Sequence, residues 1–179
     1  MSRSSWFAKM VGMPMTLDNL SELLVVQLED LYSAEMQLID ALPKMEEAAH
    51  SAELKTAFRN HLTETKAQKQ RLERVFGLLG HEAKKHTCEA MQGLIAEGEE
   101  IINAEGDADV KDAALIAAAQ RVEHYEIAGY GCVRTFAHRL GHHEVGELLQ
   151  GTLDEEANAD KTLTEIALHG VNLEAIRGS

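Results

Sequence analysis

Only two prolines, Pro14 and Pro43, interrupt this chain, and from Leu20 onward apolar residues recur at intervals of three and four. Proline removes a backbone donor and fixes φ, so its scarcity leaves long stretches free to run as unbroken helix. Ala, Leu and Glu, strong helix formers, dominate, and aromatic residues make up 4%. A β-sandwich or barrel needs frequent turn punctuation and β-branched or aromatic strands, so those classes are excluded. With 45% hydrophobic and 26% charged residues the 179-residue chain has the balance of one globular domain. Its net charge of −13 repels phosphate backbones and anionic lipid, so the expected partners include neither nucleic acid nor membrane. No apolar run approaches the ~18 residues that span a bilayer. Cys88 and Cys132 cannot build a disulfide framework, and residues 1–15 lack a secretory h-region. Both readings place the protein in the cytoplasm with reduced thiols.

Residues 1–15, with two basic residues and no acid, read as a flexible leader or as an overlong start with Met13 or Met15 as the true beginning, and Trp6 and Phe7 are the anchors of any docking role. Thr16 is the expected N-cap of a first helix over about 17–48, with Leu20, Leu24, Leu28, Leu31, Leu38 and Leu42 on one stripe and Pro43 expected to kink or shorten it. A break at His50-Ser51 leads into a second helix carrying Leu54, Phe58, Leu62, Leu72, Val75 and Leu79, ending at Gly80. A short helix from about Cys88 to Ile102 and a loop at Glu105-Gly106-Asp107 precede a third long helix over about 109–140. Gly141-His142-His143 breaks it, and a fourth long helix runs to about His169. Residues 16–173 are thus read as the bundle and 174–179 as a short tail. Two hairpins joined by a long crossover give an all-α, ferritin-like four-helix connectivity, with the short extra helix in the crossover. The halves also repeat. A shift of 91 residues pairs Leu54 with Val145, Phe58 with Leu149, Leu72 with Leu163, Glu35 with Glu126 and Glu64 with Glu155.

Carboxylates stand on the apolar stripes. Glu35 lies between Leu31 and Leu38. His61, Glu64 and Gln68 share a face that overlaps Phe58, Leu62 and Leu72. Glu123 and Glu126 form a Glu-x-x-Glu pair, and Glu156 and Asp160 flank the Leu153–Leu163 stripe. Several ionised carboxylates packed together without counter-charge would cost many kcal/mol, and the stripes offer few basic partners. Either they are protonated, or Lys and Arg pair with them, or cations sit between them; two divalent cations between four helices resolve the charge directly, against a rival reading in which the carboxylates only graze the core. For the fourth helix the 91-residue shift favours Glu155 and the apolar stripe favours Glu156. We take Glu156, because Leu149, Leu153, Leu163 and Ala167 bracket it; one residue inserted at the Gly141-His142-His143 turn would change the shift to 92, which also aligns Glu64 with Glu156 and Gln68 with Asp160.

The segments Asp30-Leu31-Tyr32-Ser33-Ala34-Glu35, Ala41-Leu42-Pro43-Lys44-Met45 and His61-Leu62-Thr63-Glu64-Thr65 with Gln68 occur in that order. Glu123-His124-Tyr125-Glu126 follows, then Glu155-Glu156 with Asp160. On these residues the chain from Thr16 to about Leu173 resembles the YciF-type family of ferritin-like bacterial stress proteins, related to rubrerythrin-like bundles. The resemblance implies a di-iron or di-manganese centre, a role in stress, and a homodimer. It departs from the general ferritin-like pattern in one respect: no His follows Glu64 or Glu156 by three residues. His61 is left as a substitute ligand, as a residue that orients Glu64, or as a simply hydrogen-bonded histidine. The expected metal ligands are Glu35, Glu64, Glu126 and Glu156, completed by Glu123 and Asp160, with Tyr32 and Tyr125 as neighbouring hydrogen-bonding or radical-quenching groups. An oxygen-rich set suits Fe or Mn. The expected chemistry is iron oxidation or peroxide reduction with O2 or H2O2 as partner, against a rival reading as a structural or metal-buffering bundle without turnover.

Overall fold

The computed structural model describes residues 18–83 and 86–177, and the leader with Trp6, Phe7 and Thr16 lies outside them. Four long helices, α1 (Leu20–Ala48), α2 (Ala52–Leu78), α4 (Ala108–Arg139) and α5 (His143–Ile166), form the bundle, and α3 (Glu89–Asn103) lies within the connection from α2 to α4. At 1.5 Å per residue each long helix spans roughly 36–48 Å. α1 packs on α2 and α4 on α5 as hairpins, the pairs α2–α5 and α1–α4 close the square, and α3 rests against α1 and α4. This is the ferritin-like connectivity read from the break positions.

The ends of the helices are set by local chemistry. Asn19, not Thr16, caps α1, its side chain accepting from the Glu22 N–H. Pro43 neither shortens nor ends α1, which runs on to Ala48. So near the C-terminus, the ring removes one late backbone bond and leaves the rest of the ladder intact. Ser51 caps α2, and Asp112, buried on α4, accepts from the His50 and Ser51 N–H groups at 2.7 and 2.6 Å, tying α4 to the α1–α2 turn. Past Ile166 the chain widens into a π-turn (Ala167–Val171) and continues as α6 (Asn172–Arg177), so helix reaches into what the sequence reads as a tail.

The interior is two apolar clusters separated by a polar layer. One cluster holds Leu38, Leu42, Leu54, Phe58, Leu115, Ile116 and Leu163, joined by Met91 of α3. The other holds Leu24, Leu28, Leu72, Phe76, Val133, Val145 and Leu149. Between them, at one level of the bundle, all four long helices present buried polar side chains. These are Glu35 on α1, His61, Thr65 and Gln68 on α2, Glu123 and Glu126 on α4, and Thr152 and Glu156 on α5.

Candidate metal centre

The polar layer arises because each helical stripe substitutes hydrophilic residues for hydrophobic ones about midway along its length. Glu35 and Glu156 are wholly buried, and Glu126 and Glu123 nearly so. Ligand atoms of His61, Glu123, Glu126 and Glu156 lie within 4.8 Å of one another. His61 Nε2 approaches Glu123 Oε1 at 3.3 Å and Glu156 Oε2 at 3.9 Å. Glu35 completes the layer from α1, accepting a hydrogen bond from the Tyr130 hydroxyl.

What marks the layer is how few of its polar atoms have protein partners. Both oxygens of Glu126 and of Glu156, one oxygen each of Glu35 and Glu123, both ring nitrogens of His61 and the Gln68 Oε1 are buried without a hydrogen bond. Buried polar atoms are nearly always satisfied, and each one left unpaired costs about 1–3 kcal/mol. The electrostatics agree. Burial pushes Glu35 up to about 8, against the opposing Tyr130 hydrogen bond. Burial, then mutual repulsion, raises Glu126 and Glu156 well above the carboxylate range, and burial raises Glu123 despite the nearby imidazole. Burial would lower His61, but Glu123, Glu64 and Glu35 outweigh it and hold the ring above its ordinary value. Arg71, whose charge acts on Glu35, is already committed to Glu155 and Thr152. Four carboxylates and one imidazole converge here from four helices with unpaired lone pairs, and His61, Glu123, Glu126 and Glu156 among them are placed so that they could hold a divalent cation.

The sequence-derived residues divide into two groups. Glu35, Glu123, Glu126 and Glu156 are in the layer, and His61, whose role the sequence left open, stands among them. Glu64 and Asp160 are outside it. Glu64 sits on the outer wall, its side chain 41% exposed, with Oε2 3.7 Å from His61 Nδ1. Asp160 accepts from Gln120 at 3.0 Å and lies 3.4 Å from His124 Nε2. The neighbouring tyrosines are differently employed from the expectation. Tyr32 donates to Glu73, and Tyr125 donates to Asp30 and contacts the Cys88 thiol, whereas Tyr130 reaches Glu35. Tyr130 had a signal in the sequence, since it lies four residues after Glu126 on the same helical face.

The choice of Glu156 agrees with its burial, but the register argument behind it needs correcting. Buried positions 54, 58, 61, 65 and 72 on α2 correspond to 145, 149, 152, 156 and 163 on α5, a shift of 91 throughout. No residue is inserted. Glu64 and Glu155 are equivalent, and both lie off the interior; the inward equivalents are Thr65 and Glu156.

Fold and site together define an all-α, ferritin-like four-helix bundle with a carboxylate–histidine layer at its centre. The chain belongs to the family described as a domain of unknown function, DUF892, which matches residues 19–176. It is 43% identical over 162 residues to Protein YciF of Escherichia coli (strain K12), covering 90% of this chain and 98% of that protein. The crystal structure of the E. coli stress protein YciF superposes with a TM-score of 0.84 at 43% identity, covering 87% of this chain and 99% of that one. A protein of Rhodopseudomonas palustris, described as a candidate structural protein, superposes with a TM-score of 0.80 at 40% identity over 84% of this chain and 98% of its own. No helix among the described residues is long and apolar enough to cross a membrane.

Proposed function

We propose that this protein holds two divalent metal ions, iron or manganese, in the interior carboxylate–histidine layer and serves in a stress response, as the description of its E. coli relative suggests. One observation carries the reading: lone pairs from all four long helices converge, buried and unpartnered, at one level of the bundle. Glu35, Glu123, Glu126 and Glu156 supply the carboxylates and His61 the imidazole. Bound iron or manganese would supply electron transfer to dioxygen or hydrogen peroxide, as iron oxidation or peroxide reduction.

The rest is the work of the chain. The two apolar clusters exclude bulk water from above and below the layer. Tyr130 holds one oxygen of Glu35 and leaves the other free. Thr65 spends its hydroxyl on the His61 carbonyl at 2.8 Å and so adds no competing donor to the layer. The test is a titration of chelator-stripped protein with Mn2+, and with Fe2+ under anaerobic conditions, followed by calorimetry and elemental analysis. The expected result is binding of about two ions per chain by this bundle design; no binding overturns the reading. A peroxide-consumption assay on the loaded protein then separates turnover from metal buffering.

A further inference from the structure

The two halves of the bundle are equivalent under the 91-residue shift, but the seam between α2 and α5 is closed at one equivalent position and open at the other. At the closed position Arg71 forms a two-pronged pair with Glu155 at 2.7 and 2.8 Å and donates to Thr152 at 2.6 Å, while Gln68 adds a bond to Glu155 at 3.1 Å. At the open position the equivalent of Glu155 is Glu64 and that of Thr152 is His61, but the residues in the closing positions are smaller. Thr162 stands in place of the arginine and Ala159 in place of the glutamine. Among the described residues no Arg or Lys pairs with Glu64. The side-chain volume lost there reappears as a cavity of about 110 Å3, bordered by Asn60, His61, Glu64, Glu123, Asn158 and Thr162. That is room for several waters.

His61 and Glu123 belong to both the cavity and the buried layer, so the opening leads from solvent to the unpartnered atoms. A continuous row of donors lines it: the half-exposed Glu64 carboxylate, the His61 ring 3.7 Å further in, and Glu123 3.3 Å beyond that. Its other polar groups are neutral amides and a hydroxyl, and no cationic Lys or Arg borders it. A wall of this chemistry admits a small hydrated cation and attracts positive charge.

We propose that this opening is the route by which divalent cations reach the interior, and that Glu64 is the carboxylate that first receives them. The inference rests on the metal-centre reading above. Glu64 is then a loading residue and not a resident ligand, and a threonine at position 162, where the other half has Arg71, is what keeps this half of the seam passable. Co2+ uptake by the metal-free full chain, followed by stopped-flow absorption and by final metal content, tests it. Thr162→Arg restores a partner for Glu64 and should slow uptake tenfold or more with final metal content unchanged. Glu64→Gln should slow uptake several-fold, flatten its dependence on ionic strength, and also leave final content unchanged. Wild-type uptake rates in folded Thr162→Arg and in Glu64→Gln would overturn the route. Loss of bound metal in Glu64→Gln would overturn the loading role and make Glu64 a ligand. A wild-type protein that takes up no Co2+ would overturn the metal centre itself and the route with it.

Discussion

Glu155 and Glu156 are adjacent in sequence and opposite in fate. A step of one residue turns a side chain ~100° about a helix axis, enough to move it from a protein–solvent boundary to the centre of the bundle. Glu155 meets Arg71, whose hydrogen bond lowers its pKa; Glu156 meets other carboxylates in a buried layer, and burial raises it. Glu156→Gln should therefore remove at least half of the bound metal, whereas Glu155→Gln should retain it, as elemental analysis of the purified variants will show. The stability cost of Glu155→Gln should stay small, because this pair is partly exposed and screened. Asp112 makes a different contribution. It satisfies two backbone N–H groups at the start of α2, and Asp112→Ala removes the partner of both at a part-buried turn. A loss of about 0.5–1.5 kcal/mol per hydrogen bond is expected, read from the urea midpoint.

Within elements, two glycines of α4 look alike in sequence and differ in surroundings. Each costs roughly 1 kcal/mol against alanine inside a helix. A Cβ on Gly131 would meet nothing within 4 Å, whereas one on Gly129 would lie 2.7 Å from Leu31 Cδ2, in the apolar cluster where α1 crosses α4. Gly131→Ala should raise the melting temperature by about 2–4 °C, the equivalent of about 1 kcal/mol for a domain of this size. Gly129→Ala must displace a core leucine at about 1–3 kcal/mol, which offsets or exceeds the helix gain, so its melting temperature should not rise. Gly129 leaves room for the Leu31 side chain of α1 against α4.

At the scale of the molecule, metal and pH act on the same groups in opposite directions. Without metal, Glu35 takes up its proton near 8 when folded and near 4.5 when unfolded, so between those values the folded state binds the proton more tightly. Stability of the metal-free protein should therefore rise as pH falls from about 8 to about 5, reinforced by Glu126 and Glu156, which are raised by burial in the same sense. With metal bound the slope should reverse, because protons compete for the ligand oxygens and the imidazole. Melting temperatures of both forms between pH 5 and 8 check this; parallel curves would mean that no metal occupies the layer.

The helices, their pairing into hairpins and the long crossover were legible in the sequence because each depends on local properties: apolar period, proline scarcity, and breaks at His50-Ser51 and Gly141-His142-His143. The level of the polar layer was legible too, since a carboxylate between leucines on a 3.6-residue repeat must face inward. Which side chains meet there was decided by tertiary structure. The choice of His61 over Glu64, Tyr130 over Tyr125, and a layer without Asp160 turns on small rotations of each helix against its neighbours. The 91-residue repeat shows the same division. It aligned Glu64 with Glu155 correctly, but only the packing of α2 on α5 shows that both face outward, and that an arginine closes one seam where a threonine leaves the other open. Periodicity reports the face of a helix; the depth of a residue within that face is set by what packs against it.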